Sequence, residues 1–419
     1  MERFSLGDAA ELAGDVGPDQ RLIGVLAELD GPVGEAVLRD AVTGSLPRLP
    51  LLRRRLVRSG RATWKAGWET VPVRLADHIV TEWVDDPVRA SERILVRGLP
   101  EDVPLWRLVV LDSPGRHHLL FLAHHALLDG ASAMAVVGDL VGASGPGLPT
   151  ARRPNPLLAP LGLVAGVAPG VSATSLLTPL TSGFRIASID VPLAPLRAAS
   201  RAAGATVNDA VLLAVAEALR AAAAARGEQL RRICLSVPVA GQPQPGNRLG
   251  RNQVGAFVAP VPLRRPGEDD RALLARVAGR TRRRKLLARS YPGTPALSLV
   301  LVALGRLGWY RPLFSRQRAI TSLVTNLRGP AHPVRLAGAR VLSLTPVSPA
   351  LGNVTVVFAA LSYAGTLRVT ARLDRSVWPH EDLIVAATGA CLRRIAKGPC
   401  RTADDGRAGD QGEGGRSID

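Results

Sequence analysis

The chain has 419 residues, 47% of them apolar and 21% charged, which gives a globular protein room for one large domain or two coupled ones. That balance excludes a disordered, fibrous or small disulfide-stapled protein. The 53 Lys and Arg against 35 Asp and Glu leave a formal charge of +18, which attracts phosphates, acidic lipid or nucleic acid without choosing among them.

In chain order, MERFSLGDAAEL mixes acids with apolar residues and lacks the basic start, apolar run and cleavage site of a secretory signal, so a cytoplasmic protein is expected. Residues 22–29 and 71–75 read as short strands. Stronger strands at 105–112 and 117–123 are divided by the turn Ser113-Pro114-Gly115 and form a hairpin. After Gly130 a small-residue helical run covers 131–140, which makes 123–130 a strand-to-helix junction. Residues 142–182, dense in Pro, Gly, Ser and Thr, read as a crossover linker between a first half at 1–141 and a second at 183–398. The clearest helix spans 206–226, with Val211, Leu212, Val215 and Leu219 on one face and Thr206 or Asn208 placed to cap it. Strands are predicted at 233–239, 254–263, around Val324, and at 341–344, 354–361 and 367–373. Helices are predicted from Asp270 to about Leu287 and over 382–395, and the Gly/Asp/Arg-rich tail 399–419 reads as disordered.

No apolar stretch reaches the roughly 20 residues needed to span a bilayer, so any membrane contact is expected to be peripheral. Residues 295–313, with Trp309 and Tyr310, read as a buried helix, with a lipid-facing helix as the alternative. Cys234, Cys391 and Cys400 are too scattered for a disulfide framework or a CxxC metal site.

The informative segment is HHLLFLAHHALLDG, residues 117–130, which holds four of the seven histidines within nine positions. On a strand rising about 3.3 Å per residue, His118 and His124 share a face but sit about 20 Å apart, and His124 and His125 point to opposite faces. A shared metal is therefore disfavoured, and one histidine acting as a base is the natural reading. Asp129 begins the following helix, where a cap, an Arg partner and a loop tie are the open alternatives, and Gly130 permits a tight backbone path.

LFLAHHALLDGASAM resembles the HHxxxDG active-site segment of acyltransferases with the chloramphenicol-acetyltransferase fold. The chain is further similar to the bacterial wax ester synthase/diacylglycerol acyltransferase family. FSLGDAAEL, PRLPLLRRRLV, PLWRLVVLD, TVNDAVLLAVAEALR, SVPVA, GRNQVGAFVAPVPL, TNLRGPAHPVRLAGARVLSLTPVSP and LSYAGTL follow that family's order. Arg328 stands where the family has Pro, and the approach to Ser-Tyr-x-Gly differs in spacing.

The resemblance implies an α/β fold of two chloramphenicol-acetyltransferase-like halves with a substrate tunnel between them. It implies an O-acyltransferase that moves a fatty acyl group from acyl-coenzyme A to a long-chain alcohol or diacylglycerol, with acyl-CoA as co-substrate, no resident cofactor and no metal. By carry-over, His125 is the general base and no acyl-enzyme forms; His124 supports it; Asp129 is structural, with an Arg partner the sequence does not identify. Gly130, Asn208, Asp209, Asn326 and Gly329 shape the tunnel, although Asn208 and Asp209 read nearly as well as helix-start residues. Trp106 reads as a packing residue. The rival readings are a carrier-protein-dependent condensation enzyme and a non-catalytic lipid-binding protein.

Arg53-Arg54-Arg55 and Arg282-Arg283-Arg284-Lys285 are candidates for coenzyme A phosphates or an anionic membrane or lipid-droplet surface, with a solvated face as the commoner explanation. Nucleic acid is not an expected partner, because aromatics are only 4% and no reader motif accompanies the charge.

Overall fold

The computed structural model describes residues 2–15, 19–58, 66–140, 149–150, 170–239, 242–243, 255–290, 294–379 and 382–398. The predicted tail 399–419, Cys400 and most of the predicted linker lie outside them.

The hairpin around Ser113-Pro114-Gly115 is the spine of the first sheet. Trp106–Ser113 pairs antiparallel with Arg116–His124, whose other edge pairs with Leu22–Leu29. From His118 to His124 every residue of this strand is buried, because the strand is central and covered on both faces. Ile79–Trp83 closes one edge in parallel to Trp106–Ser113. Trp106, 1% exposed, donates its indole N–H to the Leu52 carbonyl at 2.7 Å and stacks on His78 at 4.1 Å, so it serves packing as read.

The second sheet runs in the order Gly255–Val261, Ile233–Val239, Ser322–Arg328, Val356–Tyr363, Thr366–Asp374, Phe184–Pro192. Its core forms against the Val207–Ala224 helix, where Ala210 to Ala216 are all fully buried. Thr206 is the cap, in a reciprocal box with Asp209 three positions on, which satisfies backbone N–H groups that a helix start otherwise leaves unpaired.

The halves are interlocked. Residues Arg335–Val347 leave the second half and enter the first sheet, with Ala339–Val347 antiparallel to Leu22–Leu29. The boundary 183–398 therefore does not follow the sheets. A second tie is Arg372, which lies over the Phe184 ring at 4.0 Å and 3.4 Å from Asp19 in the first half; burial pulls its pKa down to about 10.

Two expectations are corrected. Residues 71–75 are not a strand: Ala66–Thr70 ends before them, and Leu75–His78 is a helical turn. Pro72 has no N–H for the ladder, and Val71 bonds instead to the Arg53 carbonyl. Residues 295–313 are helical, as Thr294–Arg306 and Tyr310–Phe314, but the segment is not buried. It packs on the Leu6–Ala13 helix and seats Tyr310 at 3% exposure, while Leu299, Val300, Leu307, Trp309 and Leu313 stand 49–70% exposed. Among the described residues no single helix is long and apolar enough to cross a bilayer.

Replacing Trp106 by Phe keeps most of the ring volume but strands the Leu52 carbonyl. The expected loss is about 1–3 kcal/mol, against about 3–5 kcal/mol for Trp106→Ala, read as the shift in denaturant midpoint.

Candidate active site

The histidine pair sits where the central strand of the first sheet runs out. His124 is its last residue and is 2% exposed, while His125 turns off the strand and is partly exposed. His125 lies past the strand's end, so the two-residue alternation does not govern the pair, and each imidazole meets a different carboxylate. His124 Nε2 donates to Asp15 Oδ2 at 3.2 Å, because its Nδ1 already accepts the Ala126 N–H at 3.1 Å. His125 Nδ1 lies 3.4 Å from Glu11 Oε2.

Both acids come from one short stretch. The Leu6–Ala13 helix is capped by Ser5 in a reciprocal box with Asp8; Glu11 lies in its last turn, and Asp15, four residues on, stands just past the helix end. Arg21 closes the cluster. Its guanidinium meets Glu11 at 2.7 Å, its N–H donates to Asp15 Oδ1 at 3.0 Å, and its carbonyl accepts the His125 N–H at 2.8 Å. Gly14, at the helix end, leaves room for this: a Cβ there would sit 2.8 Å from the Tyr310 hydroxyl and closer still to Arg21.

The electrostatics follow from burial and pairing. Burial pushes the Glu11 carboxyl up, but Arg21, with His125 and His124, outweighs it and leaves the carboxyl below its usual range. Asp15 behaves alike: burial opposes ionisation, and the hydrogen bond and charge of His124, with Arg21, more than offset it. Burial lowers the pKa of His125, and Arg21 adds to that while Glu11 and Asp129 work against it. His125 is thus neutral near pH 7, as a base must be. Burial pushes the Tyr310 phenol up to about 12, so its proton stays on.

Asp129 caps the Gly130–Leu140 helix, accepting the Ser132 N–H at 2.8 Å. Among the described residues no Arg pairs with it, which corrects the expected partner: the helix start supplies the donor. Gly130 opens the helix without a left-handed backbone, and a Cβ there would make only ordinary contact with Leu327 at 3.6 Å. A tight path is therefore not what places glycine at 130.

That contact matters because Leu327 belongs to the second sheet. The motif helix abuts the end of Ser322–Arg328, where Gly329 donates its N–H to the Ser362 carbonyl at 2.8 Å. A Cβ at Gly329 would crowd that carbonyl at 2.8 Å and reach within 3.7 Å of Met134 on the motif helix. Asn326 donates to the Asn208 side chain at 3.4 Å. Asp209 turns away into its cap and takes the Thr281 hydroxyl at 2.5 Å. Gly130 and Gly329 thus lie where the halves meet, Asn208 and Asn326 pair with each other within the second half, and Asp209 holds a helix start.

A cavity of about 110 Å³ lies beside the carboxylate cluster, lined by Gly14, Arg21, Phe184, Phe314 and Arg372 among others, and no residue of 124–130 lines it. Neither basic run is an open array of cations. Arg54 and Arg55 pair with Glu2 and Glu69 at 2.6 Å, and Arg282 and Arg284 donate to the carbonyls of Gly204 and Val258.

Sequence reasoning did not single out Glu11, Asp15, Arg21 or Tyr310. The available signal was the pair of acids at helical spacing beside an otherwise apolar face, which reads equally as a solvated helix edge.

Residues 251–396 match the WS/DGAT C-terminal domain family. The family resemblance read from the ordered motifs is borne out by further likenesses. The chain is 27% identical over 314 residues to the probable diacylglycerol O-acyltransferase Tgs1 of Mycobacterium tuberculosis, covering 65% of this chain and 67% of that protein. A second putative diacylglycerol O-acyltransferase of Mycobacterium tuberculosis is 25% identical across 93% of both chains. Among solved structures, the wax ester synthase/diacylglycerol acyltransferase of Marinobacter aquaeolei VT8 superposes with a TM-score of 0.63 at 18% identity, covering 94% of this chain and 98% of that one. The starter condensation domain of rhizomide synthetase, solved with C8-CoA, gives 0.65 at 13% identity and 94% of each chain. The WS/DGAT C-terminal domain thus sits in a two-sheet α/β fold shared with both.

Because Asp15 is held below its ordinary value of 3.8, the stability it contributes is present above that pH and is lost as pH falls through its folded value. Asp15→Asn should lower the thermal midpoint at pH 7, and the difference from wild type should shrink below about pH 3.8. Thermal unfolding of both proteins across pH measures it.

Proposed function

We propose that this protein is an O-acyltransferase that moves a fatty acyl group from acyl-coenzyme A to the hydroxyl of a long-chain alcohol or diacylglycerol, with His125 as general base. The observation that supports the reading is His125 at the end of the central strand, its pKa lowered by burial, in a motif whose helix start at Gly130 packs on Leu327 of the second sheet. The WS/DGAT C-terminal domain and the diacylglycerol O-acyltransferase relatives supply the reaction class.

In the step, the acceptor hydroxyl gives its proton to His125 as its oxygen bonds the thioester carbonyl carbon. The tetrahedral adduct then breaks its carbon–sulfur bond, and the departing thiolate takes the proton back from the imidazolium. Atoms and charges balance without a covalent enzyme intermediate. His124 is not available as the base, since one nitrogen donates to Asp15 and the other accepts the Ala126 N–H. A neutral imidazole is required, so activity rises with pH through the lowered His125 pKa and is lost on the acid side.

The acceptors are bilayer lipids, and the exposed apolar side chains of Leu299, Val300, Leu307, Trp309 and Leu313 are the surface we assign to peripheral contact with them. Trp309 precedes the buried Tyr310, so this surface adjoins the carboxylate cluster.

His125→Ala should lower acceptor-dependent thiol release from acyl-CoA by about 10²-fold or more, with no carrier protein present in the wild-type assay. Equal rates in the folded variant would remove His125 as the base, and wild-type silence with acyl-CoA but turnover with a carrier-bound acyl group would favour the condensation reading. Trp309→Ser with Leu307→Ser should weaken sedimentation with anionic phosphatidylglycerol vesicles and leave turnover of a soluble short-chain alcohol intact; unchanged sedimentation would reject this surface.

A further inference from the structure

We infer that Glu11 is the positioning residue of His125: its carboxylate, fixed by Arg21, accepts the imidazole Nδ1–H and so leaves Nε2 as the nitrogen that takes the acceptor's proton. The inference rests on the acyl-transfer reading above and adds to it a residue from the first helix.

Three observations carry it. The Glu11 oxygen that lies 3.4 Å from His125 Nδ1 is the same one that Arg21 meets at 2.7 Å, so the carboxylate is held in place rather than swinging from the surface. Arg21 is also tied to the histidine through the main chain, its backbone carbonyl accepting the His125 backbone N–H at 2.8 Å, which fixes where the guanidinium that holds Glu11 starts from. The neighbouring pair shows the complementary arrangement, since Asp15, just past the helix end, accepts from His124 Nε2 and so selects the opposite tautomer. Two acids four residues apart thereby give two adjacent histidines different tautomers, and only His125 presents Nε2 to the reaction.

A carboxylate in this place does two things. It stops the ring from flipping, and it stabilises the imidazolium that exists between the two proton transfers, in a site where burial makes that charge costly. At 3.4 Å the two atoms are in ion-pair contact and are not hydrogen-bonded in the resting site; the inference is that the gap closes to a hydrogen bond as charge develops on the ring. The charged and titratable groups around His125 are Glu11, Arg21, Asp129 and His124, with the un-ionised Tyr310 phenol behind Arg21. Glu11 and Asp129 raise the imidazole pKa, while Arg21 and His124 lower it. Removing the Glu11 charge leaves Arg21 unopposed, so the pKa of His125 falls further.

The test compares wild type, Glu11→Gln and Glu11→Asp, each first shown to unfold cooperatively. For Glu11→Gln, kcat should fall roughly 10- to 10³-fold with KM within about threefold, and the acid limb of kcat/KM should move to lower pH. Glu11→Asp keeps the charge and should recover part of kcat and the wild-type limb; if Glu11→Gln does not fold, the ratio of kcat to KM effects in Glu11→Asp carries the comparison. A purely structural ion pair would lower both variants alike without moving the limb. NMR titration of ¹⁵N-labelled histidine reads the site without turnover: wild-type His125 should be the Nδ1–H tautomer, with a lower pKa in Glu11→Gln. If wild type fails to transfer acyl groups, the function reading falls while this titration still decides the role of Glu11. Wild-type kcat and limb in Glu11→Gln, or an unchanged His125 tautomer and pKa, would overturn the inference.

Discussion

The site depends on one contact: the C-terminal turn of the Leu6–Ala13 helix pressed against the end of the central strand Arg116–His124. Two acids four residues apart meet two adjacent histidines, and Arg21 bonds to both acids and to the His125 backbone. Each part would be costly alone. A buried carboxylate or a buried imidazolium carries a desolvation penalty that only a fixed partner offsets. Together they hold His124 as a donor to Asp15 and His125 as a neutral imidazole.

The rest of the fold serves this contact by fixing what surrounds it. The strand Ala339–Val347, supplied by the second half, flanks Leu22–Leu29, whose first residue pairs with His124. On the other side the Gly130–Leu140 helix meets Leu327 and Gly329 at the end of a second-sheet strand. Because strands and buried side chains of both halves cross the boundary, the halves cannot shift far without disturbing the histidines. This matches an acyl-transfer site, where two substrates must meet one base at defined positions.

Much of this was legible in the sequence. Short apolar runs divided by the Ser-Pro-Gly turn give the hairpin, the small-residue run gives the motif helix, and Thr206 or Asn208 marks the start of the long helix, of which Thr206 is the cap. HHxxxDG marks the site because four histidines so close together, ending in Asp-Gly, are hard to explain as core packing. The illegible parts were set by tertiary contacts. Glu11 and Asp15 look like a solvated helix edge until the strand end is placed against them. Asp129 draws a donor from its own helix, and among the described residues no Arg pairs with it. Residues 295–313 have the composition of a buried helix, yet among the described side chains Tyr310 is buried while Leu307 and Trp309 are left about two-thirds exposed. Arg335–Val347 gives no sign in sequence that it joins the other half's sheet, because its alternation fits either one.

The central claim is that acyl transfer takes place beside His125, between the two halves. The most direct measurement is a crystal structure of the protein with a non-hydrolysable thioether analogue of a long-chain acyl-coenzyme A. The account predicts the atom standing for the reacting carbonyl carbon within about 5 Å of His125 Nε2, which leaves space for a hydroxyl between them. An analogue whose reacting carbon lies more than about 10 Å from His125, with the chain outside the junction of Gly130 and Gly329, would contradict it.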